Sequence, residues 1–428
     1  MAAPRIIIVG GGAAGFFAAI AAAESNPAAR VVLYEATAHP LAKVRVSGGG
    51  RCNATHACPE PRELVKRYPR GGRELLGPFT RFGPRDTIAW FAERGVELKT
   101  ESDGRMFPVS DSSATIVDCL RRAADQAGVK VFTAMGVRAV EPVETAGTDA
   151  AAGGRKFAVE FTDGSTGEFD RVLIATGGNK GSVGLTIAAE LGHKIVPPVP
   201  SLFTFHIEDA RIRGLEGLAV SDVVTTVPGT KLRETGPLLV THWGMSGPAV
   251  LKLSAWGARE LAGRDYKFKL GVSWSGGTTQ AAVAALTATR AEAVRRLVVN
   301  ANPFGLPARL WERLVAAAGI SPETVWGHVS NKSLQALAAQ TAAAEFAVEG
   351  KSLNKEEFVT CGGVALGGVD FRTMESRVCP GLFFAGEVLD IDGVTGGFNF
   401  QAAWTTGWHA GRAMARDTAE GAGGAEGT

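Results

Sequence analysis

The sequence predicts an α/β fold in which both ends of the chain build one dinucleotide-binding domain around a long insertion, residues 196–351. Three observations predict it. An apolar run enters a glycine turn at residues 6–15 and is followed by a second apolar run ending in an acid at residue 35. A third apolar run ends in Ala-Thr-Gly-Gly at residues 172–178, and a fourth carries glycines and acids at residues 381–401. Short continuous apolar runs closed by glycine read as buried parallel strands. Glycine turns on such strands at both ends of the chain place those ends in one sheet.

The first strand is Ile6, Ile7, Ile8 and Val9, and Gly10, Gly12 and Gly15 follow at G-x-G-x-x-G spacing. Gly10 turns the chain off the strand, Gly12 lets backbone approach a pyrophosphate, and Gly15 lets the next helix pack closely. That helix, residues 13–24, is mostly Ala, Ile and Phe, so burial is expected. Its first residues, Ala13 and Ala14, turn unpaired N–H groups and the positive dipole end toward the phosphates. The second strand, residues 31–34, ends at Glu35, which can accept ribose hydroxyls, with Ala36 beside it. An acid here disfavours a 2′-phosphate and leaves NAD or FAD.

Composition is 45% hydrophobic and 21% charged, which fits a globular protein of two or three domains. A net charge of +2 gives no overall electrostatic bias. No apolar run approaches the roughly 20 residues of a membrane span, so no membrane partner is expected. The apolar N-terminal stretch is the nucleotide strand, not a signal peptide. Cys52, Cys58, Cys119, Cys361 and Cys379 are odd in number and contain no C-x-x-C, which predicts a reducing cytoplasm without disulfides.

Residues 36–56 carry a further glycine run, Gly48, Gly49 and Gly50, followed by Arg51, Cys52 and Asn53. Successive N–H groups in such a loop form an anion-binding concavity, to which Lys43 and Arg51 add charge. Here the chain resembles a family of bacterial FAD-dependent oxidoreductases described as aminoacetone oxidase-like or bile-acid-dehydroxylation-like. The resemblance rests on K-x-x-x-S-G-G-G-R-C-N, matched by Lys43, Ser47 and Gly48 to Asn53, and runs from about residue 5 to residue 414. It implies a two-dinucleotide-type, glutathione reductase-like Rossmann FAD domain with an inserted β domain and a helical subdomain. Some members of that family are ribosomal RNA dihydrouridine synthase-like.

From Arg62 to Arg85 the chain is basic, and residues 43–85 hold ten basic and three acidic side chains, so the remainder carries −5. Tyr68, Phe79 and Phe82 are interleaved. The stretch reads either as a polyanion face for ribosomal RNA or as a solvated surface with a few cations serving cofactor phosphates. Residues 86–95 read as a helix with Thr87, Ile88 and Phe91 inward, and Asp111 or Ser112 as the N-cap of a helix over 114–127. Gly104 to Pro108 matches the family's G-R-x-F-P, on the substrate side or as a plain turn. Residues 129–140 read as one strand, on which the resemblance gives Val137 the adenine. Residues 145–154 read as a polar loop and 157–169 as a hairpin.

The run 172–178 ends at Ala175, Thr176, Gly177 and Gly178, where glycine admits backbone to the ligand. Beyond it, Asn179 to Gly184 departs from the family's Ser, Pro and further glycines. No second G-x-G-x-x-G occurs, so a nicotinamide domain is not supported and NAD(P)H is expected only as a transient reductant. The prolines at 197, 198 and 200 mark a boundary. Residues 202–270 are rich in β-branched residues and include Thr241-His242-Trp243-Gly244, close to the family's T-H-x-G-x-S-G-P. His242 is a candidate acid or base there, or a histidine serving a local hydrogen bond. Residues 278–340 read as helical, without a DNA-binding helix pair or repeat, so DNA is not expected as a partner.

In the last part, Gly386, Glu387 and Asp390 occupy the positions at which related flavoproteins hold the ribityl chain and pyrophosphate. Gly397, Asn399 and Gln401 open a last helix over 402–416, whose N-terminus would stabilise negative charge on a reduced flavin. The predicted organisation is therefore an FAD domain over 1–195 and 352–416, a β domain over 196–275, a helical subdomain over 276–351 and a disordered tail over 417–428. The substrate would meet the flavin in the cleft between the FAD domain and the insert. Cys52 is the candidate proton donor or redox thiol, though no partner thiol sits at disulfide-reductase spacing. Cys52, His56 and Cys58 lack an evident fourth ligand, so no metal is expected. Three functions stay open: reduction of a C=C bond in RNA, oxidation or reduction of a small amine or enone, and flavin binding without catalysis.

Overall fold

A computed structural model describes residues 3–143, 156–352 and 359–416, and the chain divides into two compact units. The first comprises residues 1–199 with 359–428, the second Pro200–Phe358. The loop predicted over 145–154 and the tail over 417–428 lie outside the described residues.

The first unit is a Rossmann-type α/β fold. Its sheet runs, in spatial order, Val369–Asp370, Glu375–Ser376, Leu382–Phe384, Arg171–Ile174, Arg5–Val9, Arg30–Tyr34 and Lys130–Phe132. The five strands from Leu382–Phe384 onward are parallel, and the two short edge strands are antiparallel. Arg5–Val9 lies between a strand that follows it closely and one from far along the chain, so the strand order reverses beside it. Ligands bind at the carboxyl ends of strands at such a point. The central strands are apolar because both faces are covered, by the helix Ala13–Ser25 and by the small sheet of Val137–Val143, Lys156–Phe161 and Thr166–Phe169: Ile6, Ile7, Ile8, Leu173 and Phe384 are fully buried.

The helix Ala13–Ser25 packs along the last helix, Phe398–Met414. Gly407 and Gly411 make this approach possible, because a Cβ on either would overlap backbone at Ala14 or Ala18. Both ends of the chain therefore meet in one core.

Three predicted elements differ from the structure. Residues 129–140 form two strands in two sheets, Lys130–Phe132 and Val137–Val143, separated where Ala134 takes a positive φ of 55°. The helix predicted over 114–127 is Ser113–Gln126 with Ser112 at the N-cap, but no side chain caps it. Asp111 instead pairs with Lys99 and Arg51. The last helix starts at Phe398, not 402, so Asn399 and Gln401 sit in its first turn.

In the second unit a seven-stranded antiparallel sheet is flanked by the helices Thr279–Glu292, Ala308–Ala317 and Asn331–Ala342. After these helices the chain returns to the sheet as Ala344–Val348 and Gly350–Lys351. Sheet and helices share one apolar cluster that includes Trp274, Trp311, Trp326 and Phe346.

Candidate functional site

The first glycine turn is held by its own backbone. Gly10 has φ 113° and donates to the Tyr34 carbonyl at 2.8 Å. A Cβ there would sit 2.5 Å from the Ala175 oxygen, and one on Gly15 would overlap the Gly10 carbonyl. Around Gly12, by contrast, a Cβ meets nothing within 4 Å. Gly12 and Ala13 are partly exposed, and no side chain caps the helix they begin. Its first-turn N–H groups, those of Ala13, Ala14 and Gly15, lack intrahelical acceptors. Backbone donors facing open space at a dipole's positive end make a cradle of pyrophosphate type.

Glu35 is fixed at the rim of this cradle. Its Oε2 accepts from Gly11 N–H at 2.8 Å, and Oε1 accepts from the Thr37 N–H and hydroxyl at 2.9 and 2.8 Å. An ionised carboxylate has about four acceptor sites, so capacity remains for ribose hydroxyls. Ala36 is exposed beside it, in contact range of Gly136. Val137 is buried at a bulge in its pairing with the strand Lys156–Phe161.

The second glycine loop is tied to the first by the Leu41 N–H, which donates to the Gly11 carbonyl at 2.8 Å. Gly48, Gly49, Gly50 and Cys52 all take positive φ, from 57° to 82°. Ser47 closes the preceding turn through Oγ to the Val44 carbonyl. The cations predicted to add charge here are both compensated. Lys43 pairs with Glu387 at 2.5 Å. Arg51 pairs with Glu101 at 2.6 Å and stacks on Phe107 at 4.0 Å. Neither supplies uncompensated positive charge.

Cys52 is fully buried, and burial pushes its thiol up to about 12. A thiol held there is neutral at pH 7, so it is not a thiolate nucleophile. Redox exchange needs the thiolate, which this burial disfavours. Asn53, with its amide oriented to satisfy both partners, accepts from Gly397 N–H at 2.9 Å and donates to the Thr55 carbonyl at 3.0 Å. It thereby pins the residue that starts the last helix.

The third group of residues closes on the other two. Ala175 donates to the Val9 carbonyl at 2.8 Å, and Thr176 bonds Ser182 at 2.7 Å. A Cβ on Gly177 would lie 4.0 Å from the Glu387 carboxylate, and one on Gly386 would press on Ala14 at 2.8 Å. Asp390 is half-buried, with its N–H on the Val364 carbonyl. Two predicted ligand residues face elsewhere. Gln401 is fully buried, accepting from Thr55 Oγ1 at 2.6 Å and donating to Thr405 Oγ1 at 3.0 Å. Asn399 exchanges two bonds with the Gly393 backbone. Both hold the helix start in place.

His242 belongs to the second unit. It lies in the two-residue turn between Arg233–Thr241 and Gly244–Ser246, exposed beside Trp243. Within its own unit it interacts electrostatically with the Glu216 carboxylate.

Sequence reasoning missed the role of residues 67–71. Val394 N–H donates to the Arg67 carbonyl, the Tyr68 hydroxyl donates to the Phe398 carbonyl at 2.6 Å, and Arg70 pairs with fully buried Asp392. Part of the basic stretch is thus a brace for the loop that opens the last helix. An acid inside the apolar run 388–394 was the available signal, since a buried charge needs a partner. His56, stacked on Phe398 at 4.6 Å, was missed as well.

Comparison with known proteins adds three findings. The family described as "HI0933-like protein Rossmann domain" matches residues 4–413. The chain is 31% identical over 391 residues to the ribosomal RNA dihydrouridine synthase of Escherichia coli (strain K12), covering 89% of this chain and 90% of that one. It is 29% identical over 415 residues to the 3-dehydro-bile acid delta(4,6)-reductase of Clostridium scindens, covering 92% and 94%. Among solved structures, 3-ketosteroid delta1-dehydrogenase from Sterolibacterium denitrificans shares the fold. Its TM-score is 0.50 at 12% identity, with 97% of this chain and all of that one covered.

Proposed function

The chain belongs to the HI0933-like Rossmann-domain family of FAD-dependent oxidoreductases, and from that premise we propose that it saturates a carbon–carbon double bond of uridine in ribosomal RNA. The observation that carries the substrate is the 31% identity over nine-tenths of the chain to an enzyme named for that product. We read the architecture as the two-dinucleotide type. Gly10, Gly12, Ala13, Ala14 and Gly15 would hold the pyrophosphate, Glu35 the ribose, and Ala36 and Val137 the adenine. Ser47 to Asn53, Ala175 to Gly177, Gly386 to Asp390 and Gly397 would surround the rest of the cofactor. The open space at Gly12 and the ready carboxylate of Glu35 support that fit. FAD, when bound, supplies hydride or electron transfer. The chain's part is to orient it and to place the N–H groups of the last helix where negative charge develops.

A nicotinamide would act as a transient reductant, reducing the protein slowly and with weak saturation. RNA would meet the exposed cations of residues 62–85. Lys66 is paired with Glu63 and Arg70 with Asp392, which leaves Arg62, Arg67, Arg73 and Arg81 without ion pairs among the described residues. A small-molecule enone is the second reading, favoured by the bile-acid reductase relative. No helix among the described residues is long and apolar enough to cross a membrane.

Two measurements test this. The purified protein should be yellow and release FAD on denaturation. Deleting the gene should remove a dihydrouridine from ribosomal RNA, restored by the intact gene. An unchanged ribosomal RNA, together with turnover of a steroid-type enone, would move the assignment to the second reading.

A further inference from the structure

A hollow of about 580 Å³ opens in the first unit away from the glycine cradle. Its walls come from the helix Gly72–Arg81, from residues 366–377 and from the middle of the last helix. A smaller hollow of about 320 Å³ adjoins it and shares Arg81, Arg372 and His409. His409 lies eleven residues beyond Phe398, so at 1.5 Å per residue it is roughly 16 Å down the helix from the end that serves the cradle.

Five arginines line the two hollows, Arg81, Arg372, Arg377, Arg412 and Arg416, against two carboxylates, Glu74 and Asp370. Asp370 is already committed. Arg372 grips both its oxygens, Arg377 stands 3.8 Å away, and its carboxyl is held down to about 2 by them. That grip uses Nε and Nη2 of Arg372 and leaves Nη1 for another acceptor. Arg81, Arg412 and Arg416 are exposed and have no carboxylate partner among the described residues; Arg412 only overlies Trp408, at 4.6 Å.

The floor is built, not loose. His409 is 4% exposed and spans two walls, with Nδ1 3.3 Å from the Arg372 carbonyl and Nε2 3.2 Å from the Pro78 carbonyl. It fixes the backbone from which Arg372 projects relative to the turn that carries Arg81. Pro78, Leu366 and Phe371 add an apolar wall beside the guanidinium groups.

We propose that this hollow is a second ligand site, recognising the oxyanion of a phosphate ester through Arg81, Arg372 and Arg412. Guanidinium forks match phosphate oxygens in pairs. The apolar wall means that the ligand carries an organic body next to its phosphate. A nucleotide and a phosphodiester strand share this chemistry. The site shares Arg81 with the cations of residues 62–85 that the uridine reading gives to RNA, but none of its residues belongs to the cofactor cradle.

The test uses the FAD-loaded full-length protein and three probes: inorganic phosphate, uridine 5′-monophosphate and a short fluorescent single-stranded RNA. The ester should bind more tightly than inorganic phosphate. Replacing two exposed arginines outside the 62–85 stretch, Arg372→Gln with Arg412→Gln, should weaken ester or RNA binding by about tenfold or more while the flavin spectrum stays unchanged. Glu74→Gln should act in the opposite sense and tighten binding. If RNA is the source, its affinity should fall with salt, and the double variant should lower the slope of log affinity on log salt by about 1.4, two single-strand contacts. If the nucleotide is the source, it should bind as well as RNA and with a shallow slope. Either result supports the site. Absence of binding by the ester and the RNA alike, or binding indifferent to both variants, would overturn it. Since turnover is never read, loss of the uridine assignment would leave this outcome distinguishable.

Discussion

At Gly10 and Gly15 an added Cβ would strike backbone, whereas at Gly49 and Gly50 it would meet nothing within 4 Å. In the second loop it is φ, 69° and 82°, that selects glycine. At Gly10 and Gly15 the first turn is a steric lock in which strand, turn and helix leave no room for a side chain. In the second loop Gly49 and Gly50 are left-handed in open space, and the buried Cys52 carries a Cβ at φ 61°. Only Gly12, in the first turn, has neither constraint: its φ is −88° and its Cβ position is open. Its small size leaves room at the helix N-terminus, where the proposed pyrophosphate would lie. The comparison thus separates glycines that build the fold from one that the fold does not require and that the proposed cofactor site would.

Gly15→Ala should break the lock. Its Cβ would overlap the Gly10 carbonyl, and backbone on both sides is held in the sheet and helix. Overpacking of side chains costs about 1–3 kcal/mol, and more where backbone cannot yield. The expected result is insoluble protein or loss of more than about 3 kcal/mol, read from the urea midpoint. A stable Gly15→Ala protein would remove the steric half of the comparison.

Gly12→Ala should do the reverse. The apo protein should unfold at the wild-type urea concentration, while FAD affinity falls by roughly 100-fold, about 2.7 kcal/mol. The methyl group would occupy space left for the pyrophosphate. Unchanged FAD retention would mean that the cradle faces solvent. Gly49→Ala comes next, with a loss of about 1–2 kcal/mol in stability for a left-handed residue bearing a Cβ. A larger loss would reveal a contact that the open surroundings of Gly49 do not contain.

These contrasts explain what was legible in the sequence. The first turn could be read because its glycine spacing is a steric requirement expressed directly in residue types. The strand pairing followed because Ile6 to Val9, Val172 to Ile174 and Leu382 to Phe384 are apolar on both faces. The break after Phe132 carried no proline and depends on a left-handed alanine, so a β-rich run concealed it. The start of the last helix was hidden for a related reason. Gly397, left-handed at φ 89°, begins it, and Phe-Asn-Phe-Gln is an unusual first turn. Arg70 and Asp392 are 322 residues apart, and no local pattern announces their pairing. Position in the sequence, at the opening of the last helix, suggests Gln401 and Asn399 as ligand residues, yet their amides turn inward to backbone and buried hydroxyls.

The finest test lies at Cys52, where the two influences oppose each other. Its side chain is fully buried, so removing the thiol loses packing, while its φ of 61° is a conformation that favours glycine. Cys52→Ala keeps the left-handed penalty and loses the sulfur. Cys52→Gly loses slightly more packing but relieves about 1–2 kcal/mol of backbone strain. If backbone conformation governs this loop, the glycine variant should be the more stable of the two by about 1 kcal/mol, the reverse of the usual order in a regular element. Paired urea titrations would resolve that difference. Both variants should retain wild-type flavin reduction, because a thiol held at about 12 is not ionised at neutral pH and offers no thiolate. An alanine variant more stable than the glycine would show that packing governs this loop too. The second glycine loop would then be a steric lock like the first.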